Sequence, residues 1–170
     1  MIDLSVKMGS NVRIGNNVVI ETGCEIGDNV FIGNNVVIRP FTFIGKHTKI
    51  SHLTVVEGWA TIGECCNIQA QCNITKGMII EDKVFIAQGV ISGNDKRMVY
   101  LRKKPFVQEA PIIRYGARIG MGVVLNSGSE VGREAFIGAG SLVIGKCEEF
   151  SIYVGSPAKK IGEVPNDERL

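Results

Sequence analysis

The chain has 170 residues and a formal net charge of +2, and its length predicts one domain with a sizeable core. A charge this close to balance gives no reason to expect nucleic acid or a membrane surface as a partner. No apolar stretch approaches the ~20 residues that span a bilayer, and residues 1–10 lack the apolar run of a signal peptide. We therefore expect a cytoplasmic protein.

Glycine is abundant, with 21 residues, and isoleucine and valine dominate the apolar positions, which predicts short strands joined by tight turns. The five cysteines are odd in number and form no Cys-x-x-Cys pair, which argues against a disulfide framework. Cys24, Cys66 and Cys72 occupy positions that hold Val, Thr or Ala elsewhere in the repeat, so we interpret them as small core residues. A reactive or metal-binding cysteine is the alternative.

A repeat of six residues runs through most of the chain. Isoleucine or valine stands at every sixth position over residues 14–86, thirteen times in succession, and the aliphatic series resumes over residues 113–143. Two positions earlier stands a small or β-branched residue, such as Val12, so both positions point inward if the segment is a strand. Turn formers such as Asn16 and Asn17 follow. Each hexad is therefore predicted to be a short strand and a bend, forming one side of a prism.

This pattern resembles the hexapeptide-repeat acyltransferase family over about residues 10–157. In that family three hexads close one triangular coil, and the resemblance implies a left-handed parallel β-helix. Nineteen hexads then predict an all-β, single-domain fold of about six coils over residues 1–157, with a short C-terminal cap or tail over residues 158–170. Residues 18 apart should lie above one another, so we expect one buried ladder of Ile14, Ile32, Ile50, Ile68 and Ile86.

The repeat is interrupted between Ile86 and Ile113, which are 27 residues apart, because 27 is not a multiple of six. An insertion of about 21 residues, placed at about residues 93–112, restores the phase and is predicted to leave the prism as a loop. It carries five basic residues against two acidic ones, together with Tyr100 and Phe106. Long loops in compact domains are commonly functional, so we interpret this loop as part of a binding site.

Several outward positions are apolar, which indicates a partner surface. Val19, Val37 and Val55 are expected to stack on one face of the prism. The same slot on the other faces is assigned to Phe31, Phe43, Phe85, Phe136 and Leu142. Members of the resembling family commonly form trimers, so the resemblance implies a homotrimer.

The last coils are similar to the closing segments of hexapeptide-repeat acetyltransferases, in Ile-Gly-Ala-Gly-Ser at 137–141 and Gly-Ser-Pro-Ala-Lys at 155–159. This resemblance implies acetyl-CoA or another acyl-CoA as co-substrate, without a metal. Small residues would let the thin pantetheine arm lie along the main chain, and lysines would meet the nucleotide phosphates. The alternative is that the glycines only form corners and the lysines are solvated. The residues implied for the cofactor are Gly120, Met121, Gly138, Ala139, Lys159 and Lys160.

The predicted loop contains no histidine, whereas O-acetyltransferases of the family carry one there that deprotonates an alcohol. An alcohol benefits from a positioned base, while an amine can attack a thioester through its own lone pair. Residues 68–85 and 114–120 look like the N-acetyltransferases of nucleotide-linked 3-amino sugars, except that Ala70-Gln71 replaces their usual Asn-Asn pair. The resemblance therefore favours an amine as acceptor.

Five residues are candidates for the acceptor side. Asn67 aligns with a substrate-contacting Asn of sugar O-acetyltransferases and is predicted to be catalytic, as is His52, the one plausible histidine base. His52 should stack beneath Ala70 and Gln88, which would place it ~10 Å below the root of the loop. Substrate binding is predicted for Asn73, Asn94 and Arg97, the last with the other basic loop residues around a diphosphate. Alternatively, these residues are an interface amide, exposed turn residues and solvated charges.

These features predict an acyl-CoA-dependent acyltransferase that N-acetylates an amino group of a nucleotide-linked amino sugar by direct amine attack. Two alternatives stay open: a sugar O-acetyltransferase that uses His52 as base, and a non-catalytic scaffold subunit whose loop binds another protein. The carbonic anhydrases that share this prism need three histidine ligands for zinc, and the chain has two histidines.

Overall fold

The computed structural model describes residues 1–170 as 24 short β-strands and one 3-10 turn. Before the loop, the strands are β1 (Lys7–Met8), β2 (Arg13–Ile14), β3 (Val19–Ile20), β4 (Glu25–Ile26), β5 (Phe31–Ile32), β6 (Val37–Ile38), β7 (Phe43–Ile44), β8 (Lys49–Ile50), β9 (Val55–Val56), β10 (Thr61–Ile62), β11 (Asn67–Ile68), β12 (Asn73–Ile74), β13 (Ile79–Ile80), β14 (Phe85–Ile86) and β15 (Ile91–Ser92). After the loop, they are β16 (Ile112–Ile113), β17 (Arg118–Ile119), β18 (Val124–Leu125), β19 (Glu130–Val131), β20 (Phe136–Ile137), β21 (Leu142–Val143), β22 (Lys146–Cys147), β23 (Ser151–Val154) and β24 (Lys159–Glu163), with the 3-10 turn at Asn166–Glu168. This one short turn is the whole helical content, and it could not cross a membrane.

Every third strand pairs in parallel with the next, so three sheets form the sides of a prism. Sheet I contains β1, β4, β7, β10, β13, β16, β19 and β22; sheet II contains β2, β5, β8, β11, β14, β17, β20, β23 and β24; sheet III contains β3, β6, β9, β12, β15, β18 and β21. The chain is a left-handed parallel β-helix, which confirms the predicted fold. The outer surface of each sheet is called face I, II or III below, and the bends between sheets are corners I/II, II/III and III/I.

The helix has about eight coils, so the predicted number of six is wrong. Several sides of the prism lack the aliphatic residue on which the sequence count relied. Their inward positions hold Met8 in β1, Ser92 in β15, Cys147 in β22 and Tyr153 in β23. A strand pairs through its main chain, so these segments add sides without the hexad signature.

The predicted isoleucine ladder is confirmed in the interior of sheet II. Ile32, Ile50, Ile68 and Ile86 stack in register and are fully buried, while Ile14 at the lower end is partly exposed. Buried threonines continue the core, and Thr48 Oγ1 donates to the Gly63 carbonyl at 2.7 Å. The interior is therefore closely packed along the whole prism.

The cysteines give a prediction for thiol chemistry. Cys24, Cys66, Cys72 and Cys147 are buried, and Cys65 is exposed. Burial raises the pKa of both Cys66 and Cys147 to about 11, so about one thiol in a thousand is ionised at pH 8. We expect iodoacetamide to modify Cys65 rapidly and the other four only on unfolding, as counted by intact-protein mass spectrometry. Cys65→Ser should remove the fast phase, and a second rapidly modified site in the native protein would contradict the prediction.

The loop leaves the prism after β15, at Ser92, and the chain returns at β16, at Ile112. Ser92 fills an inward position and is buried, so β15 is a hexad that the aliphatic count missed. Two hexads account for 12 of the 27 residues between Ile86 and Ile113, so the insertion is 15 residues long instead of about 21. The loop therefore emerges at corner III/I, between β15 and β16.

The hexad at β15 also changes the position of Leu142. The sequence count assigned Leu142 to a face other than that of the valines, and this assignment is wrong. Leu142 pairs with Val124, which pairs with Ile91, and this column continues the valine stack on face III. The outward positions of face III, from the lower end, are Val19, Val37, Val55, Asn73, Ile91, Val124 and Leu142. One polar residue, Asn73, interrupts this apolar stripe.

The C-terminal segment closes the upper end of the prism. Strand β24 pairs with β23 in the antiparallel direction and ends sheet II. The last residues then return to the wall, where Arg118 Nη1 lies 3.0 Å from Glu168 Oε2 and the Leu170 amide donates to Glu134 Oε2 at 2.7 Å. The cap therefore covers a strand edge that would otherwise be open.

Candidate active site

At corner II/III, one position of the bend carries a side chain in the lower coils and is glycine from the fifth coil upward. The second residue of each bend has a positive φ, and in the lower coils this slot carries a side chain, as at Asn35 and Leu53. In the next coils above Gln71 the slot holds Gly89, Gly122 and Gly140, with φ of 72°, 65° and 68°. A Cβ at Gly122 or Gly140 would meet nothing within 4 Å, and one at Gly89 only the Gly122 amide at 4.0 Å. These three residues, the glycine strip, expose about 10 Å of main chain along the corner.

The predicted cofactor residues lie beside this strip. Met121 and Ala139 precede two of its glycines and are exposed, and the Gly140 amide donates to the Met121 carbonyl at 2.8 Å. Gly120 and Gly138 are different, because a Cβ there would lie 2.6 Å from the Ala139 amide and from Val154 Cγ1, respectively. Those two glycines are required by the stacking of the coils, and the open main chain belongs to their neighbours. Sequence reasoning missed the strip, although glycine in the left-handed slot of successive coils was a usable signal.

The two predicted lysines have different surroundings. Lys159 pairs with Val154 at the upper end of sheet II, above the strip, and forms no ion pair. Lys160 Nζ donates to Glu148 at 2.8 Å and to Glu163 at 3.1 Å, and these contacts raise the pKa of Lys160. Lys159 is therefore the cation that is free to meet an anionic ligand, while Lys160 is occupied by two carboxylates.

A polar cluster interrupts the apolar stripe of face III. Asn73 Nδ2 donates to Glu57 Oε1 at 2.8 Å, and Thr75 Oγ1 lies 3.5 Å from Glu57 Oε2. Glu57 and Asn73 are half-buried, and Thr75 is buried. The amide at Asn73 thus has its partner within the chain, so the interface alternative is not needed to satisfy it. Glu57, Asn73 and Thr75 are called the polar cluster below, and Glu57 was not among the predicted site residues.

The root of the loop is tied to the strand that carries this cluster. Ser92 Oγ donates to the Asn73 carbonyl at 2.8 Å and accepts from the Thr75 amide at 2.9 Å. Both ends of the loop then converge on the Lys76 carbonyl, which accepts from Asn94 Nδ2 at 3.1 Å and from Gln108 Nε2 at 3.3 Å. Asn94 therefore lies at the root of the loop, and its amide group holds the loop in place.

Two predicted residues lie away from the polar cluster. Asn67 is on face II, where its Oδ1 accepts from Gln69 Nε2 at 2.8 Å. His52 stacks below Ala70 and Gln88 as expected, but this column is corner II/III, whereas the loop leaves from corner III/I. The expected position of His52 below the loop root is therefore wrong, because the face from which the loop emerges was misassigned. His52 Nδ1 accepts from the Asn34 amide at 2.8 Å, a bond that stabilises the bend of the coil below.

Arg97 is further out, in the loop itself. It lines a basic depression of about 550 Å³ together with Arg102, Lys103 and Lys104. None of these four side chains forms an ion pair, in contrast to Lys96, whose Nζ lies 3.0 Å from Glu109. The depression can therefore hold a diphosphate or a similar anion.

A second cavity, of about 570 Å³ on face I, is a less suitable site because most of its charged side chains are paired. Arg114 bridges Glu81 at 2.9 Å and Glu130 at 2.8 Å. The hydrogen bond from Arg114 lowers the pKa of Glu130. The network contains no charged group waiting for a ligand, and it cross-links three successive coils.

Comparisons with known proteins identify the family of this chain. The family model described as bacterial transferase hexapeptide (six repeats) matches residues 5–40. A solved structure of a putative acetyltransferase from Bacillus cereus is 30% identical in sequence, covers 96% of this chain and 81% of its own, and superposes with a TM-score of 0.55. The chain belongs to the hexapeptide-repeat transferase family.

Individual relatives are acetyltransferases of known acceptor. A serine acetyltransferase from Buchnera aphidicola subsp. Schizaphis graminum is 33% identical over 96 residues, which are 56% of this chain and 34% of that protein. A solved structure of a serine acetyltransferase in complex with CoA is 27% identical, covers 64% of this chain and 41% of its own, and gives a TM-score of 0.53. The chain spans about a third of the length of the curated relatives that it matches.

Proposed function

We propose that this chain is an acyl-CoA-dependent acyltransferase that N-acetylates an amino group of a nucleotide-linked amino sugar. The glycine strip is the observation that carries the first half of this proposal. A pantetheine arm is long, thin and unbranched over most of its length, and its amides require hydrogen-bonding groups of the main chain. The amides of the strip donate to the coil below, and its carbonyl groups are open to a ligand without intervening side chains. Lys159 lies above the strip, where the nucleotide phosphates would be.

The relatives support the same donor. Both the Bacillus cereus protein and the Buchnera protein are described as acetyltransferases, and one serine acetyltransferase structure contains CoA. Acetyl-CoA, or another acyl-CoA, is therefore the donor to test first.

An amine is the acceptor that the local chemistry favours. The loop contains no histidine, and His52 lies at the far edge of face III with one ring nitrogen bonded to Asn34. An amine needs no base before it attacks, since its free-base form carries a lone pair at neutral pH. The polar cluster offers donors and an acceptor for sugar hydroxyls, and the basic depression around Arg97 offers cations for a diphosphate. The names of the serine acetyltransferases make a hydroxyl acceptor the alternative.

We also propose that the chain acts as a homotrimer. Face III presents an apolar stripe, and Met98, Tyr100 and Leu101 in the loop are each more than four-fifths exposed in one chain. Surfaces of this kind are usually covered in the working assembly. The strip and the loop lie at opposite edges of face III, so copies packed through this face could set the loop of one against the strip of the next. Light scattering on a sizing column measures the assembly.

The function is tested by incubating the purified protein with acetyl-CoA and three acceptor sets: nucleotide-linked amino sugars, hydroxylated sugars and serine. We expect a product heavier by one acetyl group with the amino sugars, detected by mass spectrometry. Acetylation of serine alone would replace the proposed acceptor. If calorimetry detected no binding of CoA, the proposed acyltransferase function would be wrong, and a scaffold subunit would be favoured.

A further inference from the structure

We infer that Glu57 is the catalytic residue that takes the proton released when the acceptor attacks the thioester, and that Asn73 is the positioning residue that orients it. The inference rests on the proposed function and adds the proton acceptor that the amine route requires. A neutral amine attacks without help, but the nitrogen then carries a positive charge and must lose a proton before the tetrahedral intermediate can collapse to the amide.

The hydrogen bonds of Glu57 leave one oxygen atom available. Its Oε1 accepts from Asn73 at 2.8 Å, whereas the nearest donor to Oε2 is the Thr75 hydroxyl at 3.5 Å. The second contact is at the limit of a hydrogen bond. Glu57 Oε2 therefore keeps lone pairs that can accept a proton from a ligand.

Glu57 also has no cationic partner, in contrast to Glu21, the carboxylate at the equivalent position. Glu21 occupies the same slot of sheet III two coils lower, and Arg39 Nε lies 3.7 Å from it. No Lys, Arg or His nitrogen lies within 4 Å of Glu57. Glu57 is therefore a carboxylate that is held by an amide beside an apolar stripe, and no cation competes with a ligand for its second oxygen.

The position of Glu57 implies that the acyl donor comes from another copy of the chain. Glu57 is four residues along the strand from Leu53 at corner II/III, a distance of about 13 Å, and lies two coils below Gly89, a rise of about 10 Å. The lower end of the glycine strip in the same chain is thus about 16 Å away, beyond the reach of a direct proton transfer. Packing through face III would bring the strip of a neighbouring copy to the edge that carries the loop, and the acyl end of the pantetheine arm would extend below Gly89 to reach Glu57.

The transfer step is balanced as follows. The amine nitrogen forms a bond with the thioester carbonyl carbon, and the proton on the nitrogen passes to Glu57 Oε2. The bond between that carbon and sulfur then breaks, so that CoA leaves as a thiolate. The proton finally passes from Glu57 to the thiolate sulfur, which gives CoA thiol and returns Glu57 to the carboxylate.

The first test is Glu57→Gln, which preserves size and can still accept from Asn73. We expect kcat to fall about 100-fold, while the calorimetric Kd for CoA and the thermal midpoint stay at their wild-type values. Glu21→Gln, in the same slot but paired with Arg39, is the matched control and should behave as wild type. If the wild type transfers acetyl and Glu57→Gln keeps more than half of its kcat, the inference fails alone. If the wild type transfers to no acceptor, the proposed function fails and this inference with it.

The positioning role of Asn73 has its own readout. Asn73→Ala should lower kcat about tenfold without changing KM for acetyl-CoA, and should have no further effect when added to Glu57→Gln, because the oriented group is then already absent. Independent, multiplicative losses in the double variant would show that Asn73 acts by another route.

The sharing of the site between copies is tested by complementation. Glu57→Gln is co-expressed in equal amounts with the double variant Gly122→Asn, Gly140→Asn, which blocks the strip, and mixed assemblies are purified. In a mixed trimer about one junction in three joins an intact Glu57 to an intact strip, so we expect about a third of the wild-type activity from two variants that are each nearly inactive. Absence of any recovery would place Glu57 and the strip in the same chain's site and overturn the shared arrangement.

Discussion

Replacing Gly122 and Gly140 together by asparagine is expected to weaken the binding of acetyl-CoA about 1,000-fold, which corresponds to about 4 kcal/mol. Asparagine is chosen because the lower coils carry it in the same left-handed slot, at Asn17 and Asn35, so the backbone tolerates it. The side chains would project into the space that surrounds the glycine strip, where a Cβ meets nothing within 4 Å. Each single variant should weaken binding about 30-fold, as measured by calorimetry.

Gly145→Asn is the matched control for this prediction. Gly145 also has a positive φ, of 79°, and a Cβ there would also meet nothing within 4 Å, but it lies at corner III/I. Its substitution should leave the affinity for CoA unchanged. Wild-type affinity in the double strip variant, with the fold intact by circular dichroism, would show that the donor binds elsewhere.

The second large effect is a loss of stability when a glycine that lies directly against the coil above it is replaced. A Cβ at Gly45 would lie 2.6 Å from the Gly63 carbonyl carbon and 2.7 Å from the Glu64 amide, both of which are backbone atoms of the coil above. Such atoms cannot move without shifting a whole coil. We expect Gly45→Ala to cost about 3 kcal/mol and to lower the thermal midpoint by about 10 °C.

Gly93→Ala controls for the loss of a glycine as such, because a Cβ at Gly93 meets nothing within 4 Å. Its thermal midpoint should stay within about 2 °C of the wild type. If Gly45→Ala had the same thermal midpoint as Gly93→Ala, the coils would be able to separate locally at little cost in free energy. That result would contradict the close stacking of the coils.

The sequence predicts most of the fold because a six-residue period leaves few alternatives. Two inward positions and a left-handed bend in each hexad determine the prism, and the stacking of residues 18 apart gives the parallel pairing that the structure contains. The handedness came from the family resemblance, since a period does not distinguish a coil from its mirror image. The coil count failed at Ser92 and at the ends, where a strand pairs through its main chain and needs no aliphatic residue.

The candidate site was predictable only in part. The resemblance to hexapeptide-repeat acetyltransferases pointed to Met121 and Ala139, but sequence alone does not tell an open glycine such as Gly140 from a stacked one such as Gly138. Glu57 escaped prediction because its slot tolerates almost any residue, as Glu21 and Arg39 show. What distinguishes Glu57 is its contact with Asn73, 16 residues away, and that contact exists only once the coils are stacked.

The pairing of each coil with only its two neighbours makes the prism a one-dimensional array. In such an array the terminal units open first, since they have one neighbour each, and disruption advances inward one interface at a time. The polar cluster and the root of the loop belong to the third, fourth and fifth of about eight coils. Fraying from either end must therefore open at least two coils before it reaches the polar cluster and the root of the loop, which lie in the stretch of the molecule that opens last.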